Sequence, residues 1–351
     1  MKSGSRPTLA FALGDAAGIG SELTAKVAAD EGVLNVARII LIGDRRQFDQ
    51  GKQQAGLSLD VPDWHPGSEQ EIALLDRKNI DADSVVSGKG DAKTGAAALD
   101  NFAAAVRICA GGGANAVCFT PFNKNSMRQA SSTYVDEIGF IQRVLRTDAS
   151  GAEFNVLDEM WNARVTSHVP LRKVAGLLNT DLIQQRIMLT EKTIRDAEGI
   201  TPRIAVAALN PHAGDGGNFG HEDDEIIAPA VRLAADSGID VQGPIPSDTV
   251  YLRAMKGEFD VVLSMYHDQG QIAMKLIGFD RGVTLIAGFP FWIATPAHGT
   301  AYDIAGKGIA NSGATKNALL LAAKLALRSG ANAPDPDKQH ELMALEMEKM
   351  S

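Results

Sequence analysis

Short apolar runs alternate along the chain with longer stretches whose apolar positions recur at helical spacing. TLAFAL (8–13), ARIILIG (37–43), AVCFT (116–120), RVTSHV (164–169), RIAVAAL (203–209) and DVVLSMYH (260–267) read as strands, several of them apolar on both faces. SELTAKVAAD (21–30), TGAAALDNFAAAVRICAGG (94–112), NTDLIQQRIMLTEKTIRDAE (179–198), DEIIAPAVRLAADSG (224–238) and KNALLLAAKLALRSG (316–330) read as helices. Strand–helix alternation predicts an α/β architecture with a largely parallel sheet, because parallel neighbours need a crossover and a helix is the usual one. No internal repeat or low-complexity segment interrupts the pattern. The closing stretch NAPDPDKQHELMALEMEKMS (332–351) opens on two prolines and predicts a short, peripheral Glu/Met/Lys helix.

In open α/β sheets, ligands gather beyond the carboxyl ends of strands. Five polar clusters occupy such places: GDAAGIG (14–20), TPFNKN (120–125), SHVPLR (167–172), NPHAGDGG (210–217) and YHDQG (266–270). Three of them carry a histidine directly after a strand-like run, namely His168, His212 and His267. A lone histidine there is most often a hydrogen-bonded structural residue. Three on parallel neighbouring strands can face one crevice, and three neutral imidazoles with an open fourth position suit a catalytic zinc or similar divalent ion. None has a second histidine at helical spacing, so a helix-borne zinc motif is excluded.

Asp268 and Gln269 stand next to His267, where they can orient its ring or simply form a turn. Asp248, in GPIPSDTV, suits a base or an Asx-turn. Lys124 and Lys275 flank apolar runs; such lysines snorkel or anchor a carboxylate. Gly14, Gly18 and Gly20 fit neither the Rossmann nor the P-loop fingerprint. They allow close backbone approach, by a ligand or by the chain itself.

The chain has 351 residues, which suggests two domains, with 45% hydrophobic and 22% charged positions. A net charge of −9 argues against a general nucleic-acid binder but leaves an anionic small molecule open. Cys109 and Cys118 are the only cysteines and provide no disulfide framework, so two reduced structural thiols are expected. No run of 18 apolar residues occurs, and the N-terminal apolar run is broken by Gly14 and Asp15. These features point to the cytoplasm, with no membrane partner.

The motifs GDAAGIGSE, TPFNKN, SHVPLR, LNPHAGDGG, GPIPSDT, MYHDQG, GFDRGV and HGTAYDIAGKG occur in this order between about residues 8 and 327. With them the chain resembles the 4-hydroxythreonine-4-phosphate dehydrogenase family of vitamin B6 biosynthesis and its catabolic paralogues. The resemblance implies a two-domain α/β fold of the isocitrate/isopropylmalate dehydrogenase type. It implies a homodimer with the active site in the inter-domain cleft at the subunit interface, and domains of 1–135 plus 286–351 and of 136–285. It implies NAD or NADP as hydride acceptor and a divalent metal on His168, His212 and His267, with zinc favoured over cobalt or magnesium. Gly14, Asp15, Gly18 and Gly20 are assigned to the cofactor, and Asp248, Lys124 and Lys275 to catalysis. Lys275 falls on the family's substrate lysine. Thr284 and Ile293 replace its substrate asparagine and arginine, and Glu137 and Ile138 replace a His-Thr pair. These changes remove positive charge where a phosphate would bind.

The expected chemistry is oxidation of a β-hydroxy acid followed by loss of CO2. The expected substrate is an unphosphorylated small-molecule carboxylate, as in the similar terephthalate 1,2-cis-dihydrodiol dehydrogenases of aromatic catabolism, with Trp292 and Ile293 walling the ring. Two alternatives stand beside it. One is 4-hydroxythreonine-4-phosphate dehydrogenase itself, or an enzyme for four-carbon sugar-acid 4-phosphates. The other is a catalytically silent ligand-binding paralogue.

Overall fold

The computed structural model describes residues 6–330 apart from 69 and 150, so the helix expected within 332–351 lies outside the described residues. The chain divides into two compact units, Met1–Gly151 with Val283–Ser351, and Ala152–Gly282.

The first unit holds strands β1 (Thr8–Ala12), β2 (Arg38–Gly43), β3 (Ile72–Asp76), β4 (Ala116–Phe119), β10 (Val283–Ala287) and β11 (Trp292–Pro296), numbered along the chain. Their order is β3-β2-β1-β4-β11-β10. All neighbours are parallel except β10 and β11, which form an antiparallel pair. Around them lie α1 (Gly20–Ala28), α2 (Glu31–Leu34), α3 (Arg45–Ala55), α4 (Ala92–Ala110), α5 (Lys124–Ala130), α6 (Glu137–Leu145) and α12 (Gly313–Arg328). The alanine-rich α4 starts at a capping box, in which the Asp91 carboxylate takes the Lys93 and Thr94 N–H groups and the Thr94 hydroxyl takes that of Asp91.

The first joint falls at residue 151 and not near 135, because α6 belongs to the first core. Phe140 of α6 stacks on Phe102 of α4 with centroids 5.5 Å apart, and Ile141 is fully buried beside them. The second joint is at 283.

The second unit contains β5 (Ala152–Val156), β6 (Trp161–Arg164), β7 (Ile204–Ala207), β8 (Val241–Ile245) and β9 (Val261–Ser264), in the order β5-β6-β9-β7-β8. β5 is antiparallel to β6 and the remaining neighbours are parallel. Its helices are α7 (Val174–Leu177), α8 (Thr180–Glu198), α9 (Ala228–Asp236), α10 (Ser247–Met255) and α11 (His267–Gly278). The run RVTSHV, expected as a strand, is mostly loop: β6 ends at Arg164, and His168 lies beyond it. Likewise β9 stops at Ser264, and His267 is the first residue of α11.

Candidate active site

Strands β6, β9 and β7 are adjacent and parallel, with Arg164 opposite Ser264 and Val206 opposite Leu263. Their carboxyl ends are therefore level, and His168, His267 and His212 follow one strand each. The His168 and His267 rings stand 5.4 Å apart between centroids. His267 Nδ1 is 2.7 Å from Asp268 Oδ1, and a carboxylate there favours the tautomer with its proton on Nδ1 and a lone pair on Nε2. His212 packs edge-on to Phe219 at 6.0 Å. Among the described residues, no three His, Cys, Asp or Glu side chains of one chain are gathered closely enough to hold a metal ion. The donor chemistry of the pair fits a divalent metal, and a third ligand is needed to complete an imidazole set.

The loop that carries His212 is held from outside. Residues 212–217 all have positive φ (55, 56, 82, 45, 64 and 95°), a left-handed turn that explains the glycines of NPHAGDGG. The fully buried Asp223 carboxylate accepts the Leu209 and Asn210 N–H groups at 2.8 and 3.0 Å, just ahead of this turn. Nothing in the sequence marked Asp223, which reads as part of a solvated acidic helix start. Asp248 is exposed in the first turn of α10. Lys275 is exposed on α11, its ammonium 6.0 Å from the centre of the Phe279 ring.

In the first unit, Lys124 Nζ lies 2.9 Å from Glu137 Oε2, and the Glu137 side chain is nearly buried. The Glu137 carboxylate is thus neutralised by a lysine, and the lysine ammonium keeps further N–H groups for a ligand. Burial and the adjacent Glu137 push the nearby Tyr134 hydroxyl to a higher pKa. Ile138 packs onto the core that contains Phe102. Thr284 is half-buried in β10, opposite Thr295 of β11.

Two observations bear on the expected ring wall and cofactor turn. Ile293 is fully buried in the middle of β11, paired with Val117 and Ile286, so it is a core residue and not a pocket wall. The Trp292 indole N–H donates to Ser329 Oγ at 2.8 Å. The glycines of GDAAGIG also have an internal explanation. A Cβ on Gly14 would lie 2.3 Å from the Thr120 carbonyl oxygen, on Gly18 2.8 Å from that of Thr300, and on Gly20 2.8 Å from the Thr120 hydroxyl. They admit the chain's own atoms where a cofactor was expected. Asp15 is buried, accepts the Tyr302 hydroxyl and the Ala17 N–H, and has its carboxyl pKa raised by burial.

The strand–helix alternation of both units, with histidines beyond the ends of adjacent parallel strands in the second, defines an α/β enzyme with a candidate strand-end site. Residues 35–322 match the model of the pyridoxal phosphate biosynthetic protein PdxA, and the chain belongs to that family. A Rhizobium meliloti protein named "Putative 4-hydroxythreonine-4-phosphate dehydrogenase 2" is 50% identical over 332 residues, 93% of this chain and 95% of that one. A Clostridium botulinum protein named "Putative D-threonate 4-phosphate dehydrogenase" is 33% identical, over 91% of this chain and 97% of its own length. Among solved structures, 4-hydroxythreonine-4-phosphate dehydrogenase from Klebsiella pneumoniae is 30% identical with a TM-score of 0.78, covering 93% of this chain and 99% of that one. A terephthalate 1,2-cis-dihydrodiol dehydrogenase from Burkholderia xenovorans is 26% identical with a TM-score of 0.59, at the same coverages of 93% and 99%. The chain is therefore a dehydrogenase homologue with the α/β fold of this family. No described helix is long and apolar enough to cross a membrane.

Proposed function

We propose that this protein is a metal-dependent, NAD(P)-linked dehydrogenase that oxidises the secondary alcohol of a four-carbon hydroxy acid carrying a 4-phosphate, of the 4-hydroxythreonine or threonate type. The observation that carries the reading is the His168–His267 pair beyond adjacent parallel strands, in a chain that matches relatives of those names nearly end to end. Two observations favour the phosphorylated substrate over the dihydrodiol. Ile293 is core, not ring wall, and the Glu137 carboxylate is tied to Lys124 and sets no free negative charge against a phosphate.

His168 and His267 would hold the metal, with the partner subunit's His212 as third ligand. An exposed apolar stripe made by Ile272 and Leu276 of α11 and by Phe279 just after it supports a homodimer, since a patch of this kind on a protein surface calls for a partner. A divalent metal lowers the pKa of a bound alcohol and a nicotinamide dinucleotide accepts hydride. This chain's own groups do the rest. Asp268 keeps the His267 tautomer, Lys124 and Lys275 offer ammonium groups to the substrate's anionic ends, and Asp248 is the candidate base for the hydroxyl proton. Oxidation of a hydroxyl β to a carboxylate gives a β-keto acid, which then loses CO2.

The test is NADH formation from D-threonate 4-phosphate. Chelation should abolish it and added cobalt or zinc restore it; turnover that survives removal of all bound metal would refute the proposal.

A further inference from the structure

We infer that Gln269 is a positioning residue that locks the three histidine-bearing loops of the second unit into one piece; the inference rests on the metal reading above. The Gln269 amide is used almost completely. Its Oε1 accepts the Met265 N–H at 2.6 Å, and its Nε2 donates to the Ala208 carbonyl at 2.7 Å and to Ser247 Oγ at 2.8 Å. The Ser247 hydroxyl in turn donates to the same Ala208 carbonyl at 2.7 Å. Both lone pairs of that carbonyl are thereby filled, and both amide hydrogens of Gln269 are used. The Met265 carbonyl accepts from Thr166, through its N–H at 3.1 Å and its hydroxyl at 2.8 Å.

Each tied residue stands shortly before a functional one. Thr166 precedes His168, Ala208 precedes the NPHAGDGG turn with His212, Met265 precedes His267, and Ser247 directly precedes Asp248. One side chain, with the Met265 peptide beside it, therefore fixes the spacing between the His168–His267 pair, the departure point of the His212 loop and the start of α10. Local helix capping does not explain this. A glutamine serving only the first turn of α11 would have no need to reach the Ala208 carbonyl, which belongs to the neighbouring strand's loop.

Only an amide fits these partners. Glutamate could still accept from Met265, but it would set a carboxylate oxygen against the Ala208 carbonyl. Methionine fills the space and makes none of the bonds.

The probe is cobalt(II), followed by its visible absorption band and by equilibrium titration below the unfolding temperature. Gln269→Met should weaken cobalt binding by about 10- to 100-fold and alter the band, the range seen when groups supporting metal ligands are removed. Ser247→Ala, which keeps two of the three Gln269 bonds, should weaken it less but in the same direction. Thr190→Val is the control, since it removes the hydrogen bond from the buried Thr190 hydroxyl to the Arg186 carbonyl within α8 of the same unit and should leave cobalt affinity unchanged. Wild-type affinity in a folded Gln269→Met protein overturns the proposal. If that variant does not fold, unchanged affinity in Ser247→Ala overturns it. A wild-type protein that binds no cobalt sinks the metal reading itself and this inference with it, and the wild-type titration separates that outcome from failure of the clamp alone.

Discussion

His212→Ala and His267→Ala, each inactive alone, should regain turnover when the two proteins are unfolded, mixed and refolded together. Each variant alone loses a ligand at every site. A divalent metal held by these residues would lower the pKa of the reacting hydroxyl, and losing that contribution would cost several kcal/mol, or about three orders of magnitude in rate. In a mixed dimer, the His168–His267 pair of one chain meets an intact His212 from the other, and the second site lacks two ligands. Random pairing makes half the dimers mixed with one good site in two, so recovery should approach about a quarter of wild-type activity. Metal content should recover in parallel. The motive is the arrangement of the histidines, two gathered in one chain and the third not. No recovery above the single variants would place all three ligands in one chain.

Glu153→Ala should destabilise the second unit by about 3–5 kcal/mol, read from the urea midpoint of unfolding. Arg164 lies within β6 with its side chain almost wholly buried, and its Nη2 is 2.7 Å from Glu153 Oε2. Burial lowers the pKa of the guanidinium, and Glu153 opposes that shift. Without the carboxylate the guanidinium would be left buried and uncompensated, and its Nε and Nη1 already have no protein acceptor. Glu153→Gln, which keeps an acceptor but not the charge, should fall between wild type and alanine. The more exposed Arg203–Asp260 pair sets the scale, because Asp260→Ala there should cost about 1 kcal/mol or less. A Glu153→Ala loss as small as that would mean the strand relaxes to let water reach Arg164.

What could be read from the sequence, and what could not, follows from the range of the forces involved. The placement of the three histidines beyond strand ends was legible because an apolar run followed by turn residues marks a strand's carboxyl end whatever the exact boundary. That is why β6 could be misplaced by several residues and His168 still land beyond it. Ile293 was misread because β11 is buried on both faces, so its sequence WIATP carries no alternation to tell a core position from a pocket wall. The Lys124–Glu137 pair joins the starts of two helices, and no local spacing encodes it. The same holds for Asp223 and Gln269, whose partners are backbone groups on other loops. The joint at 151 depended on whether Phe140 and Ile141 pack on α4, which their apolar character permits but does not assign.

The most direct measurement compares kcat/KM of the metal-loaded protein for D-threonate 4-phosphate and 4-hydroxythreonine 4-phosphate with that for the same acids lacking the phosphate. NADH formation is followed by absorbance. A site built to hold the phosphate with charged donors should reject the dephosphorylated acids by at least about 100-fold. Equal rates with and without the phosphate, or turnover of the unphosphorylated acids alone, would contradict the account.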